Sequence, residues 1–169
     1  RTGRGTRSKV FNVSSSLLPA LDQAGFDMLS FANNHVYDQG RRGFKESLEH
    51  LEDSDIAYVG AGKTCEAARA PRTVDINTIQ VAFIGATLVF NNNENGKEDE
   101  PCTHFLDEDQ VIAAAQAAKE GGAELVVLSL HWGREYRTKP QRAQVQTAHK
   151  LMEGGVDVIL GHHPHVLQP

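Results

Sequence analysis

Histidines gather in three short segments of this chain, Asn33-Asn34-His35, His131-Trp132-Gly133 and Gly161-His162-His163-Pro164-His165. Imidazole nitrogen is a preferred ligand of zinc, iron and manganese, and the amide oxygen of Asn34 suits the harder members of that set. Each segment directly follows an apolar run that reads as a strand: 27–32, 124–130 and 156–161. In open α/β sheets ligands bind in the crevice beyond the carboxyl ends of the strands. The three segments are therefore expected to converge on one metal centre with mixed nitrogen and oxygen ligands.

Within that centre, His163 and His165 are the most specific pair. Two residues apart in an extended segment, they project to one face, and Pro164 stiffens the backbone between them. By the same alternation His162 is expected to face away and to be no ligand. His131 ends its strand where Trp132-Gly133 forces a turn at the sheet edge. Asn34 can offer its amide oxygen to a metal while His35 donates a proton nearby. Asp38 then either orients His35 or caps the next helix. Arg41 and Arg42 follow the first segment, and Arg134, Arg137 and Lys139 follow the second. They are either ordinary surface charges or a lure for an anionic substrate. His50, His104 and His149 belong to no motif and read as solvated or capping residues. Cys65 and Cys102 form no CxxC pair, and read as ordinary residues that make at most one disulfide.

Composition narrows the field further. A chain of 169 residues with 40% hydrophobic and 23% charged residues can bury a sizeable core as one domain or part of one. The formal charge of −5 gives no nucleic-acid footprint, and no basic stripe with interleaved aromatics is present. No stretch approaches the roughly 18 to 20 apolar residues of a membrane helix, and Arg1 to Lys9 lacks the apolar core of a signal peptide. Without an initiating Met, the chain reads as an internal piece of a longer protein, so it carries no information on where the parent resides.

The elements that must position these residues are legible from pattern. Ser14-Ser15-Ser16, an early Pro19 and a stop at Gly25 delimit a short helix with a capping serine. After the Asn33–His35 segment, Phe44, Leu48 and Leu51 recur at helical spacing, and 56–59 reads as a strand closing at Gly60-Ala61-Gly62, which makes a βαβ unit. Runs 72–76 and 79–85 are separated only by Asn77-Thr78, which signals a hairpin and a mixed sheet. Asn91 to Pro101 reads as a mobile surface loop without chemistry. From Asp107 the α/β rhythm resumes, with a helix to about Gly121 and another from about Gln141 to Glu153.

Three motifs in order, Phe31-Ala32-Asn33-Asn34-His35-Val36-Tyr37-Asp38-Gln39-Gly40, His131-Trp132-Gly133-Arg134-Glu135-Tyr136 and Gly161 to Pro169, resemble the CapA family of poly-γ-glutamate capsule proteins, a branch of the calcineurin-like metallophosphatase superfamily. The resemblance covers nearly the whole chain. It implies one partial domain over 1–169, an α/β/β/α sandwich with a mixed sheet, incomplete at both ends. It further implies two divalent metal ions (manganese, iron or zinc), with Asn34, His131, His163 and His165 as ligands and His35 as general acid. Phosphatases of the superfamily carry an acidic residue where this chain has Val36, and Asp38 is the nearest substitute. The superfamily's aspartate ligands would lie ahead of Arg1. The implied function is a metal-dependent hydrolase acting on a phosphoester or γ-glutamyl polymer bond, with Arg134 and Arg137 meeting the anionic substrate. The alternative is a non-catalytic polyanion-binding component of a capsule synthesis or export complex. The implied partners are an anionic polymer and membrane-bound capsule synthesis proteins, with no nucleic acid, at an extracytoplasmic, membrane-associated location.

Overall fold

A computed structural model describes residues 10–92 and 94–169. The basic opening stretch up to Lys9, read above for a signal peptide, lies outside the described residues. The order of elements is α1 (Leu17–Gln23), β1 (Met28–Ser30), α2 (Gly40–Glu52), β2 (Ala57–Val59), β3 (Ala61–Gly62), α3 (Cys65–Arg69), β4 (Arg72–Ile76), β5 (Ile79–Thr87), β6 (Cys102–Thr103), α4 (Glu108–Glu120), β7 (Leu125–His131), α5 (Arg142–Glu153) and β8 (Val158–His162).

The main sheet has four strands in the order β4-β5-β7-β8. β4 and β5 are antiparallel, whereas β5, β7 and β8 run parallel, so the expected mixed sheet is present. The hairpin turns on Asn77 and Thr78, whose φ values of 52° and 75° match the right-handed twist of the strands it joins. Along β5 and β7, register partners Ala82 with Val126, Ile84 with Leu128 and Ala86 with Leu130 point to one face. There they meet Val111, Ala115 and Ala118 of α4 and Leu151 of α5 in the largest core cluster. Each large aliphatic side chain buried there contributes about 1.5–3 kcal/mol. The alternate residues Ser129 and His131 are left for the opposite face, which is the face that carries the site.

The β1-α2-β2 unit is parallel, Met28 to Ser30 pairing with Ala57 to Val59, as a crossover helix requires. Phe44, Leu48 and Leu51 are its buried stripe, and Val36 and Tyr37 join them from the loop after β1. This stripe holds the Asn33–His35 loop against the helix that follows it. β2 and β5 approach through bare backbone: Gly60, at φ +84°, faces Gly85, and a Cβ on Gly85 would lie 2.9 Å from the Gly60 backbone. No side chain fits between them.

Two expectations are corrected here, for Ser16 and for His104. Ser16 sits at the start of α1 but makes no side-chain cap, and α1 buries no residue. Cys65 and Cys102 form the one disulfide that the sequence reading allowed, across the α3 start and β6. His104 is neither solvated nor a cap. It is 2% exposed and its Nδ1–H donates to the Gly85 carbonyl at 2.9 Å, because the chain after β6 runs back under β5.

Candidate metal centre

The loops after β1, β7 and β8 meet at the carboxyl ends of their strands. One bridge runs from His131 Nε2 to Asn34 Oδ1, 2.9 Å across 97 residues of sequence. Asn34 is 6% exposed and His131 8%, so the contact is made away from bulk water. The His131 ring lies 4.7 Å from that of His163, centroid to centroid, and His163 lies 6.2 Å from His165. Four of the sequence-predicted residues, Asn34, His131, His163 and His165, are thus gathered in one place.

His162 departs from expectation. It is part of the cluster, its Nδ1 2.6 Å from His131 Nδ1 and its Nε2 3.1 Å from Ser129 Oγ. Strand alternation carries only as far as β8 itself, where His162 is the parallel register partner of His131 and so shares its face. Beyond it the backbone is not extended. His163 and His165 adopt φ of +97° and +58°, and these left-handed turns swing both rings back toward the same site. The pair converges, but through turns rather than through a period of two.

Asn91 is the residue that sequence reasoning missed. Its backbone N–H donates to the Asn34 carbonyl at 3.0 Å, its Oδ1 accepts from Asn34 Nδ2 at 3.0 Å, and its Nδ2 lies 3.2 Å from His35 Nδ1. The loop from Asn91 to Pro101 is therefore tied to the site rather than free of chemistry. Asn95 fastens it further, accepting from Tyr37 Oη at 2.7 Å and from the Thr103 amide at 2.9 Å. The run of asparagines was the available signal: an amide side chain can satisfy two neighbours at once.

His35 and Asp38 form a pair, Nδ1 to Oδ2 at 2.7 Å, with Asp38 almost fully covered and His35 about one third open. Asp38 Oδ2 also accepts the Phe11 amide at 2.8 Å. His35 Nδ1–H thus donates to the Asp38 carboxylate. Of the two readings of Asp38, the geometry supports orientation of His35: α2 starts at Gly40, and its cap position is Gln39, with no side-chain cap. Arg134 and Arg137 are exposed on the loop after β7, flanking Glu135.

Electrostatically the cluster is held neutral. Burial, reinforced by the neighbouring imidazoles of His162 and His163, lowers the His131 pKa to about 3. Burial likewise lowers His162 and His163. Neutral imidazoles with available lone pairs are the form that binds metal. His163 Nδ1 is buried without a hydrogen-bond partner, and among the described residues the ligand atoms of Glu135, His163 and His165 lie within 4.8 Å of one another. An orphaned nitrogen beside other nitrogen and oxygen donors fits a divalent ion of the zinc, manganese or iron kind.

Comparison with known proteins agrees with this architecture. The chain is 36% identical over 152 residues to a capsule biosynthesis protein CapA of Bacillus anthracis, and 34% identical over 150 residues to a PGA biosynthesis protein CapA of Bacillus subtilis. Each alignment takes in 88% of this chain but only 37% and 39% of those relatives, so the chain spans less than two fifths of their length. A probable polyglutamine synthesis accessory protein of Mycobacterium tuberculosis is 26% identical over 163 residues, covering 90% of this chain and 43% of that protein. Among solved structures, the NAD nucleotidase NadN of Haemophilus influenzae superposes with a TM-score of 0.55 at 18% identity, over 90% of this chain and 26% of that one. The two chains thus share a mixed α/β fold. The bacterial capsule synthesis protein PGA_cap family matches residues 2–169, and the chain, with its three histidine-bearing loops in order, belongs to that family.

Proposed function

We propose that this chain carries the metal-binding part of a hydrolase-like centre in a capsule or poly-glutamate synthesis protein, acting on a phosphoester or γ-glutamyl polymer bond. One observation carries the reading: Asn34, His131, His162, His163 and His165 converge at the strand ends, beside a hydrogen-bonded His35–Asp38 pair. Asn34, His131, His163 and His165 would hold one or two divalent ions. Such ions, when bound, polarise a phosphoryl or carbonyl oxygen and make water a nucleophile near neutral pH. Asp38 accepts from His35 Nδ1–H, and in the imidazolium form of the ring Nε2–H is the proton available to the leaving oxygen. Arg134 and Arg137, exposed beside the cluster, favour an anionic chain over a neutral one despite the acidic net charge. The names of the Bacillus and Mycobacterium relatives fit a polyanion of glutamate.

The Cys65–Cys102 disulfide fits an oxidising, extracytoplasmic setting. Among the described residues no helix is long and apolar enough to cross a membrane.

The test uses the complete protein, loaded with manganese, zinc or iron, on phosphoester and γ-glutamyl substrates. His35→Ala should cut turnover by about 10²-fold or more with metal retained, since positioned acid catalysis typically contributes 10² to 10⁴. Asn34→Ala should lose metal as well. Tight binding of poly-γ-glutamate with no turnover of either substrate class would instead establish the non-catalytic polyanion-binding role.

A further inference from the structure

The loop after β7 and the turn after β8 are zipped together by backbone. The Trp132 amide donates to the His162 carbonyl at 3.1 Å, and the Tyr136 amide donates to the Pro164 carbonyl at 2.7 Å. Gly133 at φ +91° and Tyr136 at φ +59° bend the first loop so that both bonds form. The Tyr136 ring then stacks on His165, centroids 5.8 Å apart and planes 24° from parallel. Trp132 packs over Gly161, where a Cβ would come within 2.9 Å of its indole nitrogen. This register leaves Glu135 one residue before the second clamp, opposite His163 and His165.

The geometry points to Glu135 as a metal ligand that joins His163 and His165 in holding a divalent cation. This inference rests on the metal reading above and adds to it the anionic donor that reading lacks. An amide oxygen and imidazole nitrogens coordinate as uncharged donors, and a doubly charged ion held by such donors alone in a half-buried cluster keeps its full charge in a poorly solvated place. The other carboxylate beside the cluster, Asp38, already accepts from His35 and from the Phe11 amide. Glu135 makes no comparable bond among the described residues, and its carboxylate is the oxygen in the one group of His, Cys, Asp and Glu atoms, among those residues, close enough to share an ion. Two imidazoles and a carboxylate suit zinc, manganese or iron, and such a set leaves further positions for the remaining donors or for substrate.

The test is cobalt(II) binding to the purified chain, followed by calorimetry and by the visible absorption of the bound ion. Replacing a ligand should cost at least the 10- to 100-fold in affinity that loss of a supporting outer partner costs. Glu135→Gln is expected to weaken binding by about tenfold or more and to change the cobalt spectrum, while Glu135→Asp restores part of both. His163→Ala and His165→Ala should weaken binding at least as much. If these two variants lose cobalt while Glu135→Gln keeps the affinity and spectrum of the unsubstituted chain, Glu135 is no ligand and the metal reading stands without it. Weakened binding with an unchanged spectrum would mark Glu135 as a distant charge and likewise overturn the assignment. If no variant alters binding, or the unsubstituted chain binds no cobalt, the metal reading fails and this inference with it.

Discussion

Reducing the Cys65–Cys102 bond should destabilise the protein by an amount that follows from topology. The two cysteines are 37 residues apart in sequence, and the entropy lost by the unfolded chain on closing a loop of that length corresponds to roughly 4 kcal/mol at 25 °C. Packing changes little, since Cys65, Ala68 and Cys102 form a small buried cluster in which two thiols occupy nearly the space of the disulfide. For a chain of this size each kcal/mol moves Tm by about 2–4 °C, so reduction should lower Tm by about 8–16 °C. The measurement is a pair of thermal melts with and without reductant. A Cys65→Ala/Cys102→Ala double variant should melt with the reduced protein and ignore reductant. The loss should be local at first: the Cys65 amide donates to the Glu98 carbonyl, so the Pro101 end of the Asn91–Pro101 loop is released while Asn91 still holds Asn34. Amide exchange should therefore rise around Lys97 to Thr103 before the main sheet opens. A Tm difference under about 3 °C would refute the loop-closure reasoning.

Other perturbations probe the parts that aim the site. Gly85→Ala places a Cβ 2.9 Å from the Gly60 backbone, and the forced separation should cost about 1–3 kcal/mol in denaturant unfolding; an unchanged midpoint would mean the β2–β5 approach is soft. Asn91→Ala removes the amide that meets both Asn34 and His35, and should weaken manganese binding about 10- to 100-fold by calorimetry, with unchanged affinity counting against the loop's role. His104 is buried with its pKa lowered to about 4, so below its usual value of 6.5 the unfolded chain binds a proton that the folded chain refuses. Stability is therefore full above pH 6.5 and falls as pH drops toward 4, by roughly 3 kcal/mol from this group. His104→Gln keeps a donor for Gly85 and should flatten that slope in part, His131, His162 and His163 supplying the remainder; an identical slope would place the acid sensitivity elsewhere.

Much of the architecture was legible because hydrophobic period and turn chemistry are local. The stripe of Phe44, Leu48 and Leu51 gave α2, and Asn77-Thr78 gave the hairpin that makes the sheet mixed. The convergence of Asn34 with His131 followed from both lying past strand ends. What failed were features set by backbone rotation and by distant partners. Alternation was extended through His162-His163-Pro164-His165, but two left-handed residues there turn His163 and His165 back beside His162. Asn91 was hidden for another reason: its partner Asn34 lies 57 residues away, and no spacing rule reports such a pair. Glu135 likewise carries no signal in isolation, since exposed glutamates are common and its place is set by the Trp132 and Tyr136 backbone clamps.

The central claim is that three loops far apart in sequence build one metal centre, and anomalous diffraction from crystals of the purified chain grown with manganese or zinc measures it directly. The account predicts an anomalous peak within coordination distance of His163, His165 and at least one of Asn34, His131 and Glu135, at roughly 2.0–2.2 Å from nitrogen and oxygen donors. Ordered ions bound only elsewhere on the surface, with the Asn34, His131 and His163 side chains still paired among themselves at saturating metal, would contradict it.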